Sequence, residues 1–148
     1  MHEYPHRYTV TAASAVEGDI MVEGAGLPAL ATNAPAEFDG PGDRWSPETL
    51  LVASVADCFI LTFRAIARAS KLPWHSLACV ASGTLDRVDR VSQFTAFTIR
   101  ATLHVPAGTD EAKARHSLER AEHLCLITNS LKAPVSLETT VETSNVDR

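Results

Sequence analysis

The sequence predicts an α+β fold, from three observations. Short strand-like runs come first, ahead of one long apolar helix. A second block of strand-like residues precedes a second long helix, and one more strand-like run closes the pattern. The helices follow blocks of strands rather than alternating with single strands, which sets the chain apart from a strict βαβ arrangement.

The elements follow in order. Residues 7–11 alternate and are rich in strand formers, and residues 19–23 follow Gly18 and end at Gly24-Ala25-Gly26, as a hairpin strand would. Residues 27–32 supply a third strand, and the Gly/Pro-rich stretch 38–45 reads as an ordered loop leading into a helix. That helix has the best-defined start in the chain. Ser46 suits the N-cap, Pro47 the first helical position, and Glu48 complements the positive end of the helix dipole. Nothing breaks the pattern until Lys71-Leu72-Pro73, so the helix runs from Pro47 to about Ser70 and extends on the order of 35 Å. From Leu50 to Phe63 it is apolar almost all round, with Asp57 its only charge. Such a helix has to be covered on nearly every side. A chain of 148 residues has little material for that, which points to a second subunit.

Strand character returns at residues 77–83. In residues 94–105, Thr95, Phe97, Ile99, Ala101, Leu103 and Val105 fall on one face, with Thr98, Arg100, Thr102 and His104 opposite. The run Asp86-Arg87-Val88-Asp89-Arg90 reads as a solvated hairpin tip. A turn at residues 106–110 then opens a helix from Glu111 to about Leu124, capped by Thr109 or Asp110. A break near Cys125, a short helical piece at residues 128–132 and a strand at residues 135–142 complete the order.

Composition narrows the function. The length fits one domain, residues 1–148, able to bury a core without disulfide staples. A net charge of −5 argues against a general nucleic-acid binder. The start of the chain has no apolar signal-like run, and no segment reads as a membrane span. Three widely and irregularly spaced cysteines do not make a secreted disulfide framework. The expected compartment is a reducing cytoplasm, where a disulfide is more often catalytic or redox-sensing than structural.

The chemistry lies in Cys58 and Cys125, each inside a helical apolar run. Cys58 shares a helical stripe with Leu51, Val55, Thr62 and Ala65. A thiol in such a place is most often an inert small hydrophobe, and Cys79, on an alternating strand, reads as a packing residue. Two thiols on helices can also form a peroxidatic and resolving pair.

The segment Ser46-Pro47-Glu48-Thr49-Leu50-Leu51, followed by Ala56-Asp57-Cys58-Phe59, resembles the PE-x-L-L … A-x-C helix of the OsmC/Ohr family. Residues 125–135, Cys125-Leu126-Ile127-Thr128-Asn129-Ser130-Leu131-Lys132-Ala133-Pro134-Val135, resemble that family's second cysteine, short helix and closing strand. The order of elements agrees from about Tyr8 to Glu142. The resemblance implies a single OsmC-like domain whose antiparallel sheets wrap around two central helices in an intertwined homodimer. It implies a thiol-dependent peroxidase that reduces organic hydroperoxides without metal or organic cofactor. Cys58 would be the peroxidatic thiolate, Cys125 the resolving cysteine, and a dithiol reductant, for which the family suggests a lipoyl protein, would restore the pair.

The family's peroxidases carry an arginine that ionises the first cysteine and is held by the glutamate of the PE motif. Glu48 matches that glutamate, but residues 8–43 hold no Arg or Lys. Arg44 is the nearest substitute. It is read either as a relocated activator paired with Glu48 or as a solvated loop charge. The rival to the enzyme is a non-enzymatic OsmC-like dimer binding an apolar small molecule at its interface pocket. A redox sensor signalling through its disulfide is a third reading. His116, Glu119 and His123, at helical spacing, read as a solvated helix face.

Overall fold

The computed structural model describes residues 1–144. The chain forms two compact units, Met1–Leu51 and the remainder from Val52 onward.

The first unit is built on an antiparallel meander of three short strands, β1 (Thr11–Ala13), β2 (Ile20–Glu23) and β3 (Leu30–Thr32). Its ladders pair Thr11 with Glu23 and Val22 with Leu30. The first strand starts later than residues 7–11 suggested. β2 ends at Glu23, opposite Thr11, so earlier residues face no partner, and Tyr8 and Val10 are exposed. After a 3₁₀ turn at Ala36–Phe38, Gly40 folds back so closely that a Cβ there would run into the Ala34 carbonyl oxygen. The loop then returns to β3 through a Thr32–Trp45 bridge and a 3.0 Å bond from Asn33 N to Trp45 O.

The long helix α1 spans Pro47–Ser70, as the sequence predicted. Ser46 caps it reciprocally: its Oγ accepts from Thr49 N at 3.1 Å, and its own N–H donates to Thr49 Oγ1 at 2.9 Å. Within the second unit α1 buries Val55, Phe59, Phe63, Ile66 and Ala67. The helix stops on Lys71, which has left-handed φ of 56°, with Leu72 N bonded to Ala67 O at 2.9 Å. α1 has 24 residues and contains an 18-residue window of mean hydropathy 1.9, the length and composition of a membrane span, which corrects the expectation that no segment would. That window leaves out the charges near the helix ends, Glu48 and Arg68, and keeps only Asp57 and Arg64. The same composition serves a core helix, and α1 contributes five buried residues to this core.

The rest of the second unit is a three-stranded sheet with two further helices. β4 (Ser76–Val88) and β5 (Val91–Pro106) form a long antiparallel hairpin whose tip, Asp89–Arg90, takes positive φ at both residues. That geometry matches the right-handed twist of the flanking strands. Phe97, Ile99, Ala101, Leu103 and Val105 are all buried on one face of β5, as their alternation required. The helix α2 (Glu111–Leu124) is capped by Asp110, whose Oδ1 accepts from Ala112 N and Lys113 N at 3.0 and 3.2 Å. The short α3 (Leu126–Asn129) starts two residues before the expected piece. Cys125 is extended, at φ −63° and ψ 111°, so it ends α2 and begins α3 at once.

The last strand, β6 (Val135–Ser144), joins β5 in parallel, with Phe97 opposite Val135 and Leu103 opposite Val141. This departs from the all-antiparallel sheets expected. The crossover through α2 and α3 brings the chain back to the end of the sheet where β5 began, so β6 runs alongside it.

Candidate active site

Cys58 lies in the middle of α1, and Cys125 sits at the junction of α2 and α3. The fold brings the two thiols close enough to influence each other's ionisation, and both are free. Cys58 is partly exposed, whereas Cys125 is fully buried.

Their environments push them apart. Burial resists ionisation of Cys58, but four neutral donors outweigh it: Ile127 N–H, the Cys125 thiol, the Thr62 hydroxyl and Leu126 N–H. Together they hold the Cys58 thiol below its ordinary value. Burial pushes Cys125 up, the N–H and hydroxyl of Thr128 offset part of that, and the neighbouring Cys58 raises it further. Of the two thiols, Cys58 is therefore the more readily ionised and Cys125 the less.

The mouth of the site is a shallow depression of about 530 Å³, lined by Ser54, Asp57, Cys58, Leu61, Thr62, Ala65, Leu126 and Ile127. Leu61 and Leu126 are 58% and 66% exposed, so the approach to the sulfur is largely apolar. Asp57 is the one charge on the rim and does nothing to favour a thiolate.

Arg44 is engaged elsewhere than expected. Its Nε donates to Asp19 at 2.9 Å and an Nη lies 3.6 Å from Asp43, so its ion pairs are with these aspartates rather than with Glu48. Hydrogen bonds from Asn33 and Arg44 hold the Asp19 carboxyl below the usual carboxylate range. The physical reason is local. Asp19 directly precedes β2, which pairs with β3, and Thr32 of β3 bridges to Trp45, beside Arg44. Glu48, in the first turn of α1, has a buried Oε1 without a hydrogen-bond partner.

Sequence reasoning missed four residues: Thr62, Leu126, Ile127 and Asp19. Thr62 was visible on the Cys58 stripe, and its hydroxyl donates to the Cys58 carbonyl at 2.6 Å with Cys58 Sγ 3.9 Å away. The amides of Leu126 and Ile127 are main-chain groups that leave no residue signature. Asp19, 25 positions before Arg44, carried no signal of the pairing. His116 and His123 lie exposed on α2, each beside a glutamate of its own helix, as a solvated face would have them.

A family model described as OsmC-like protein matches residues 40–140. The chain belongs to the OsmC-like family. Solved structures agree over nearly its whole length. An OsmC-like protein of unknown function from Vibrio cholerae superposes with a TM-score of 0.83 at 17% identity, covering 92% of this chain and 100% of the other. OsmC, an organic hydroperoxide resistance protein of Legionella pneumophila, gives 0.74 at 20% identity, covering 95% and 99%. Among sequence relatives, the uncharacterized protein YmaD of Bacillus subtilis is 29% identical over 112 residues, 70% of this chain and 71% of that protein. The α+β reading and the OsmC-like resemblance are thereby borne out, and the fold is OsmC-like.

Proposed function

We propose that this OsmC-like protein is a thiol-dependent peroxidase for organic hydroperoxides, with Cys58 as nucleophile and Cys125 as resolving cysteine. The observation that carries the reading is the neighbourhood of two free thiols, Cys58 lining an apolar depression and held below its ordinary value, and buried Cys125 held above it.

The Cys58 thiolate attacks the outer peroxide oxygen, the O–O bond breaks, and the departing alkoxide takes up a proton as the alcohol. Cys58 is left as a sulfenic acid. The Cys125 sulfur then attacks the Cys58 sulfur, and hydroxide leaves with the Cys125 proton as water, closing a disulfide. An external dithiol reopens it by two exchanges and is itself oxidised to a disulfide. A lipoyl group is one dithiol of this class. The cycle calls for a reducing compartment, which the cytoplasm provides.

In this reading neutral donors, rather than a cation, supply the activation. Arg44 contributes only by exchanging Asp19 for Glu48, whose free Oε1 would receive it. The function also includes a homodimer, because Leu61 and Leu126 leave an apolar surface at the site mouth.

Stopped-flow reaction of the reduced protein with cumene hydroperoxide, followed by mass spectrometry, tests the proposal. A stoichiometric Cys58–Cys125 disulfide, lost in Cys58→Ser, supports it, and Arg44→Ala should then retain most of the rate. Thiols that react no faster than free cysteine would favour the second reading, a non-enzymatic dimer binding an apolar molecule in the same depression. The engagement of Arg44 by Asp19 is the observation on that side.

A further inference from the structure

We infer that the groove at the carboxyl end of α1 is a second binding site, for a small phosphate-bearing anion carrying at least two negative charges. The groove holds about 450 Å³, within the range of small-ligand sites, and is lined by Arg64, Arg68, Lys71, Trp74 and an apolar floor of Ala67, Leu72 and Pro73. Among the described residues, no carboxylate lines it. None of the three cations has an ion-pair partner among the described residues, in a chain whose net charge is −5.

Basic residues at a helix C-terminus ordinarily serve the negative end of the dipole. Here that work is done by others. The Ile66 carbonyl accepts from Ser70 Oγ at 2.9 Å, Ala67 from Leu72 N, Arg68 from Lys71 N at 3.3 Å, and Ser70 from Lys113 Nζ at 3.1 Å. The side chains of Arg64, Arg68 and Lys71 are left over.

Lys71 adds an independent mark. Its φ of 56° is the left-handed conformation at a helix end that glycine adopts at least cost. A lysine there strains the backbone while placing an ammonium on the groove. Arg64 and Arg68 stand one helical turn apart, so their forks can converge on one set of phosphate oxygens, with Lys71 one turn further. The Trp74 ring is held edge-on by Phe63 at 5.3 Å, and offers a fixed apolar surface to any non-ionic part of the ligand.

Calorimetric titration of the full chain with inorganic pyrophosphate, and separately with ADP, tests this. The expected result is saturation below about 1 mM with one ligand per chain, weakening severalfold as salt rises to about 0.15 M. The double variant Arg64→Gln/Arg68→Gln should lose at least tenfold in affinity. Lys71→Gly is the discriminating variant, since glycine suits the backbone better. It should melt at the same temperature or higher while affinity falls severalfold. Tighter binding of ADP than of pyrophosphate would add a ring to the ligand, and equal binding would leave the phosphates as its recognised part. Failure of both probes to saturate would overturn the site. So would affinities unchanged in the variants, or a Lys71→Gly that loses stability and keeps its affinity. Cysteine chemistry plays no part in these readouts, so the result is independent of the peroxidase.

Discussion

Thr62 has one hydroxyl proton and two acceptors competing for it, the Cys58 carbonyl at 2.6 Å and Cys58 Sγ at 3.9 Å. The shorter bond holds the proton at rest, and ionisation of the sulfur gives it a reason to turn. Thr62→Val removes the donor at nearly constant volume. Cys58 is held below its ordinary value, so its thiolate is populated at pH values where an ordinary cysteine is still protonated. Loss of one donor moves that window upward. That should slow alkylation of Cys58 at pH 7 severalfold. Above the ordinary cysteine range the two proteins should react alike, because both are then ionised. Site-resolved iodoacetamide labelling across pH measures this, and coincident profiles would assign the thiolate to the amides and Cys125 alone. At this scale the sequence was legible by residue type. Cys58, Cys125 and Glu48 could be picked out, but the pairing of the cysteines came through the family resemblance. The amides of Leu126 and Ile127 were invisible because main chain carries no residue identity. The pairing of Arg44 with Asp19 was not legible because Asp19 is a long-range neighbour that only the meander brings near.

Two elements carry predictions of their own. The start of α2 depends on Asp110, which satisfies two amides that would otherwise lack partners. Asp110→Ala should cost about 1 kcal/mol in urea unfolding without altering Cys58 labelling. On β4, burial pushes the Cys79 thiol up to about 11. The folded chain therefore keeps this proton while the unfolded chain loses it near the ordinary value of 9.0, so stability falls as pH rises between the two values. Cys79→Ala should flatten that alkaline loss, and urea midpoints from pH 8 to pH 11 would show it. Where elements are capped by side chains, their bounds were readable: Ser46 and Asp110 fixed the starts of both long helices. Where bounds depend on a distant strand they were not. β1 begins where β2 offers a partner, and β6 takes its parallel direction from the crossover before it.

The whole molecule raises the question of what covers α1. A window of that helix with mean hydropathy 1.9 is 28% buried, and Leu61, Leu124 and Leu126 are each more than half exposed around the cysteine site. A lipid bilayer could cover such a helix, but Val55, Phe59 and Phe63 already pack it into a core, and Asp57 sits midway along it. A second copy of the chain meets the need better. Each buried Å² of apolar surface contributes about 25 cal/mol, and stable interfaces bury about 800 Å² per partner. Light scattering on the eluting protein should therefore give twice the chain mass at micromolar concentration. Leu61→Asp should shift it toward the single-chain mass and lower its melting temperature, since a carboxylate would have to be desolvated to form the contact. A wild-type protein that elutes at the single-chain mass would remove the dimer from the proposal. The exposed leucines would then serve the hydroperoxide alone. If the dimer holds, Leu61→Asp should also slow disulfide formation by hydroperoxide. The apolar depression that admits the substrate would lose part of its wall together with the partner that encloses it.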